Sequence, residues 1–93
     1  MQGARNKVRV KMPGLAIFTR GVKELTLDVY STKDLLKELK MAFPALEEKV
    51  FDKRTGSLYP SIKLMVNGKL VSDEDYRLQE GDEVELIPIF AGG

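Results

Sequence analysis

Four stretches of this chain alternate apolar and polar residues, and one longer stretch repeats its apolar residues every three or four; few folds accommodate that mix. In Lys7 to Met12, Val8, Val10 and Met12 fall on one side while Lys7, Arg9 and Lys11 fall on the other. Lys23 to Tyr30 places Leu25, Leu27 and Val29 against Glu24, Thr26 and Asp28. Ile62, Leu64 and Val66 mark a third such run, and Val84 and Leu86 mark a fourth within Glu83 to Ile89. Side chains point to opposite faces of a strand in turn, so each run predicts a strand buried on one face.

The helical stretch opens at Ser31-Thr32-Lys33-Asp34. Ser31 can cap the free backbone N–H groups, and Asp34 in the first turn suits the positive end of the helix dipole. Leu35, Leu36, Leu39, Ala42, Phe43 and Leu46 then share one face. Pro44 ends this helix or starts a short second turn through Ala45 to Phe51. Pro13-Gly14 breaks the first strand, and the apolar segment Leu15 to Thr19 reads as a loop or weak turn. Asp52 to Ser61 reads as a surface loop. Asn67-Gly68 is the strongest hairpin signal, because both residues tolerate the positive φ of a type I′ turn. It leads into a short strand at Lys69 to Val71, and Glu80-Gly81-Asp82 makes another turn. Pro88 falls where the last strand should leave the sheet.

The order is strand, strand, helix, strand, short strand, strand. One helix crossing one face of a mixed sheet of four to five strands buries every apolar face named above. That is an α+β arrangement of the ubiquitin-like β-grasp kind. Ninety-three residues leave room for one such domain, 1–93, with a tail at about 89–93. Ala91-Gly92-Gly93 has little to pack with and is expected to be loose.

Composition narrows the chemistry. The chain has neither cysteine nor histidine. This rules out a disulfide framework, thiolate or imidazole metal sites, iron–sulfur clusters, and Cys–His or Ser–His–Asp catalysis. Asp73-Glu74-Asp75 reads as a solvated loop rather than a metal site. Fifteen basic against fourteen acidic side chains give a net charge of +1, without the basic excess of a nucleic-acid binder. No segment approaches the apolar length of a membrane span, and the N-terminus has no signal-peptide pattern, so a cytoplasmic protein is expected.

The ending Gly81-Asp-Glu-Val-Glu-Leu-Ile-Pro-Ile-Phe-Ala-Gly-Gly93 resembles that of the small subunit of molybdopterin synthase and its sulfur-carrier relatives, including the thiamin-type carriers. Pro60-Ser-Ile-Lys-Leu-Met-Val-Asn-Gly68, Leu35-Leu36-Lys-Glu-Leu39 and Phe43-Pro44 resemble the same family. Two departures leave the pathway open: Ile89 and Phe90 stand where relatives often have proline and valine, and the Phe51 to Ser61 loop is longer than in the thiamin-type carriers. The resemblance implies that the Gly93 carboxylate is the working group. A ubiquitin-activating-type partner enzyme would adenylate it with ATP, and sulfur would displace AMP to leave a thiocarboxylate. The chain would bind no cofactor of its own. It would be a substrate or carrier subunit, with the catalytic residues on its partners. Gly92 and Ala91 would give the tail access to a narrow channel, glycine having no Cβ. The acceptor enzyme would be the molybdopterin synthase large subunit or another sulfur acceptor. Cysteine biosynthesis, tRNA thiolation and attachment to lysines as a protein modifier stay open, as does a binding module with an incidental tail.

Strand parity also nominates a docking face. Arg9, Lys11, Met65 and Ile87 point away from the helix, and Ile89 and Phe90 flank the tail. An apolar spot edged by basic groups near the tail would suit a partner. Alternating charges would equally keep an open sheet face soluble, and Leu15–Phe18 could instead cover Met65 and Ile87.

Overall fold

The computed structural model describes residues 5–73 and 75–89. Five strands and two helices follow one another as β1 (Asn6–Lys11), β2 (Glu24–Val29), α1 (Thr32–Ala42), α2 (Pro44–Val50), β3 (Ile62–Val66), β4 (Lys69–Leu70) and β5 (Glu83–Pro88). The strands form one sheet in the order β2-β1-β5-β3-β4. Three pairs are antiparallel; β5 enters the middle parallel to β1, with Val10 opposite Val84. The α+β β-grasp architecture expected from the alternation is the one observed.

Each alternating run buries the face it was expected to bury. Val8, Val10, Met12, Leu64, Val66, Val84 and Leu86 join Leu35 and Leu39 of α1 in a single core. At roughly 1.5–3 kcal/mol for each large apolar side chain withdrawn from water, this face is the main source of stability. Leu46, Val50 and Phe51 extend the same core from α2 and the residue after it.

Local signals set the ends of the elements. Ser31 is extended, and its Oγ accepts from the Asp34 N–H at 3.4 Å, while the Asp34 carboxylate accepts from the Tyr30 N–H at 3.1 Å. Phe43 closes α1 and opens α2. The residue before a proline avoids the helical region, and Phe43 sits at φ −132°, ψ 90°, with Pro44 starting the second helix. Of the two outcomes left open at Pro44, a second helix is the one that forms. Ala42, expected on the apolar face, is exposed, because the break at Phe43 turns the chain and lets the Phe43 ring pack against the core instead. Asn67 and Gly68 have φ of 51° and 82°, the left-handed pair a tight hairpin requires.

Two segments supply core residues that the periodicity does not announce. Pro13–Phe18 forms a 3₁₀ turn whose Leu15 is buried, with Phe18 packed against the core. The long connection after β4 carries Leu78 into the core, where it is fully buried. Backbone bonds from Thr32 to Tyr76 (2.9 Å) and from Leu78 to Tyr30 (2.9 Å) stitch that connection to the start of α1. In the Asp73–Asp75 loop the Asp75 N–H donates to the Asp73 carboxylate at 3.0 Å.

Candidate functional site

β5 is the last described element before the tail, and the sheet holds its end on the β3 side. Pro88 lies opposite Ile62, and the Ile89 N–H donates to the Ser61 carbonyl at 2.6 Å. The chain therefore leaves the sheet at a fixed point, between the start of β3 and the 3₁₀ turn. Ile89 is half exposed (48%) there. Phe90, Ala91, Gly92 and Gly93, nominated as tail and working group, lie outside the described residues.

The register defines the open face of the sheet around this exit. Lys63 is opposite Ile87, Met65 is opposite both Glu85 and Leu70, Lys11 is opposite Glu85 and Arg9 is opposite Glu83. Cross-strand partners share a face, so Ile87, Met65 and Leu70 form a diagonal of apolar side chains running away from the exit. Met65 and Ile87 are half-buried, and neither belongs to the core or to the described residues packed against it. Leu70 is 62% exposed. The 3₁₀ turn, whose Leu15 and Phe18 enter the core, packs on the helix side and leaves this diagonal open.

Arg9 and Lys11 stand on the same face, but carboxylates already engage them. Arg9 Nε lies 3.2 Å from Glu24 and its Nη1 lies 3.3 Å from Glu83; Lys11 Nζ lies 3.0 Å from the same Glu83 oxygen. The Lys11 hydrogen bond holds the Glu83 carboxyl below its ordinary value of 4.5, and the charges of Lys11 and Arg9 add to that against partial desolvation. The face thus divides into a self-neutralised polar half over β2 and β1 and an apolar half over β3 and β4. Lys63 borders the apolar half and makes no ion pair among the described residues.

Sequence reasoning missed two members of this face. Leu70 was within reach, since a two-residue turn at Asn67-Gly68 sets Leu70 opposite Met65. Glu83 was not, because its place beside Arg9 depends on the parallel β1–β5 register. On the helix side, a shallow depression lined by Lys40, Glu47, Phe51 and Gly56 has Lys40 spanning it. The Lys40 Nζ sits 4.5 Å over the Phe51 ring and donates to the Gly56 carbonyl at 2.8 Å.

The ThiS family model matches residues 16–93, a span that takes in both α-helices, the last four strands and both terminal glycines. The chain belongs to the ThiS family. Members of this family are ubiquitin-like sulfur carriers, and this ThiS-family chain is similar to several of known structure. It is 30% identical to a protein of Archaeoglobus fulgidus provisionally named a sulfur carrier, over 92% of this chain and 98% of that one. Small archaeal modifier protein 1 of Haloferax volcanii is 32% identical with a TM-score of 0.82, over 95% of this chain and all of that one. Its counterpart from Methanosarcina acetivorans is 27% identical with a TM-score of 0.82, over 98% and 100% of the two chains. A Pyrococcus furiosus protein provisionally named molybdopterin converting factor subunit 1 is 26% identical, with a TM-score of 0.70 over 91% of this chain and 99% of that one. Among the described residues of the ThiS-family chain, no helix is long and apolar enough to cross a membrane.

Proposed function

We propose that this chain carries sulfur as a thiocarboxylate on Gly93, loaded by an adenylating enzyme and unloaded by an acceptor enzyme. The observation that carries the reading is the family match running through Gly92-Gly93, joined to a strand that delivers the chain to a defined exit at Ile89. A carboxylate is a poor acyl donor because its oxygen leaves badly. Attack of a Gly93 oxygen on the α-phosphorus of ATP expels pyrophosphate and forms an acyl-adenylate. A sulfide nucleophile then attacks the carbonyl carbon, AMP departs, and a thiocarboxylate remains. The partner supplies every catalytic group; this chain supplies the acyl group and its delivery.

Tail length constrains where the partner touches. Four residues beyond Ile89 reach at most about 13–14 Å when extended. An enzyme that receives Gly93 in its pocket must therefore press against the surface around the exit. The apolar diagonal of Ile87, Met65 and Leu70, with Ile89 beside it and Phe90 next in the chain, is the docking face of this proposal. Lys63, Arg9 and Lys11 form its polar surround. Apolar centres with polar rims are what such interfaces favour.

For the acceptor, we place molybdopterin synthesis first, with the molybdopterin synthase large subunit as partner in the cytoplasm. The ending from Gly81 to Gly93 and the likeness to the Pyrococcus protein support this. Attachment to lysines of other proteins is the second reading, supported by the greater likeness to two modifier proteins. Intact-mass analysis after incubation with the cognate adenylating enzyme, ATP and sulfide separates them. A gain equal to sulfur replacing oxygen supports the carrier. Loss of the free chain into a ladder of higher-mass conjugates supports the modifier, and an unchanged mass rejects the proposal.

A further inference from the structure

Pro88 is a proline in a central strand, where the missing N–H would ordinarily break a ladder. Its surroundings explain the tolerance. Backbone N–H groups point to alternate sides along a strand. That of Ile89 points to β3, where it meets Ser61, so the nitrogen of Pro88 faces the β1 side. The β1 ladder ends with Lys11 opposite Glu85, three residues earlier, and no ladder bond is lost.

The place that β1 vacates is taken by Gly14, second residue of the 3₁₀ turn. A Cβ placed on Gly14 would lie 2.9 Å from both Cγ and Cδ of Pro88, closer than side-chain carbons pack. Gly14 is not among the glycines with positive φ, so its backbone would accept an L-residue. Glycine is needed here for the proline ring alone.

We propose that Gly14 is a positioning residue for the terminal carboxylate, its bare Cα seated on the Pro88 ring. With the Ser61–Ile89 hydrogen bond on the opposite side, this contact grips the end of β5 and sets the direction in which Phe90–Gly93 departs. The proposal rests on the carrier function above, since aim matters only if Gly93 must reach a partner's pocket. Once a partner's channel draws the tail out to about 13 Å, a tilt of roughly 10° at the grip displaces the carboxylate by about 2 Å relative to the docked body. Misplacement on that scale is costly at a reacting centre, where even 1 Å can lower a rate about a hundredfold.

The test uses the full chain as Gly14→Ala and as Gly14→Ala/Pro88→Ala. Two readouts are followed: hydrogen exchange at the Ile89 amide, and ATP–pyrophosphate exchange by the cognate adenylating enzyme across a range of chain concentrations. In Gly14→Ala the Ile89 amide should exchange at least tenfold faster and kcat should fall on the order of tenfold. KM should hold, because the docking face is untouched, and the double variant should recover both losses. A Gly14→Ala chain with wild-type Ile89 exchange and wild-type kcat overturns the proposal. So does a loss that Pro88→Ala does not recover, including one caused by unfolding of both variants. If the wild-type chain supports no pyrophosphate exchange, the carrier function fails, while Ile89 exchange still decides whether the grip exists.

Discussion

The two ends of β5 are held by different chemistry. At the start, polar groups converge: Asp82 accepts from the Gln79 N–H at 2.8 Å and from the Asn67 side chain at 2.9 Å, and the Glu83 N–H donates to Asn67 Oδ1 at 3.0 Å. Backbone bonds from Arg9 to Asp82 (3.0 Å), from Asn67 to Glu83 (2.8 Å) and from Gly81 to Lys7 (2.9 Å) tie the same turn to β1 and to the β3–β4 hairpin. At the exit, one hydrogen bond and one steric contact fix Ile89 and Pro88. Ile87 and Ile89 at the exit are apolar, and Lys63, opposite Ile87, makes no ion pair among the described residues. Order is thus concentrated at the end away from the working group, and the other end keeps a surface that a partner can cover without stripping water from many polar groups.

Substitutions along the strand can break this contrast. Leu86 lies between the two ends in the core, and Leu86→Ala should destabilise by about 2–5 kcal/mol in chemical denaturation; a smaller loss would mean that the sheet does not depend on its buried face. Asp82→Ala strikes the polar end alone. Denaturation should show a loss of about 1–2 kcal/mol, as hydrogen bonds to a charged acceptor disappear, with loading kinetics unchanged in the folded protein. Met65→Lys strikes the open face alone: with Glu85 opposite the new ammonium group, stability should stay within about 0.5 kcal/mol, whereas KM for adenylation should rise tenfold or more with kcat preserved. Equal effects of these last two on both stability and loading would erase the distinction between the ends.

The smallest effect concerns acid. Glu83 is held below its ordinary pKa, so it binds a proton less readily folded than unfolded. Its contribution is present above the unfolded value and is lost as pH falls through the lowered folded one. Thermal melts of Glu83→Gln should therefore lose part of the wild-type decline below about pH 4.5, and added salt should shrink the difference between the two proteins. Identical pH profiles at low salt would remove Glu83 from the account of this face.

Much of this was written plainly in the sequence, for a physical reason. Strands with one wet face must alternate, so Val8, Val10, Val84 and Leu86 declare themselves; so do a serine cap, a proline at a helix start and an Asn-Gly turn. Leu78 does not. It is a single apolar residue in a polar connection, and only its backbone bond to Tyr30 brings it inside. Leu15 was hidden because a 3₁₀ turn is too short to show a period. Of the candidate site, Met65 and Ile87 followed from parity, and Leu70 could have followed from the hairpin register. Partners across the parallel β1–β5 pair could not be counted, since no turn links those strands, and the grip of Gly14 on Pro88 depends on the same long-range placement.

The central claim is that a folded body exists to present a terminus without side chains for others to load. Its most direct test is ATP–pyrophosphate exchange by the cognate adenylating enzyme, comparing the full chain with one lacking Gly92 and Gly93. The account predicts exchange with the first and none with the second, at equal thermal stability. Undiminished exchange with the shortened chain would contradict it.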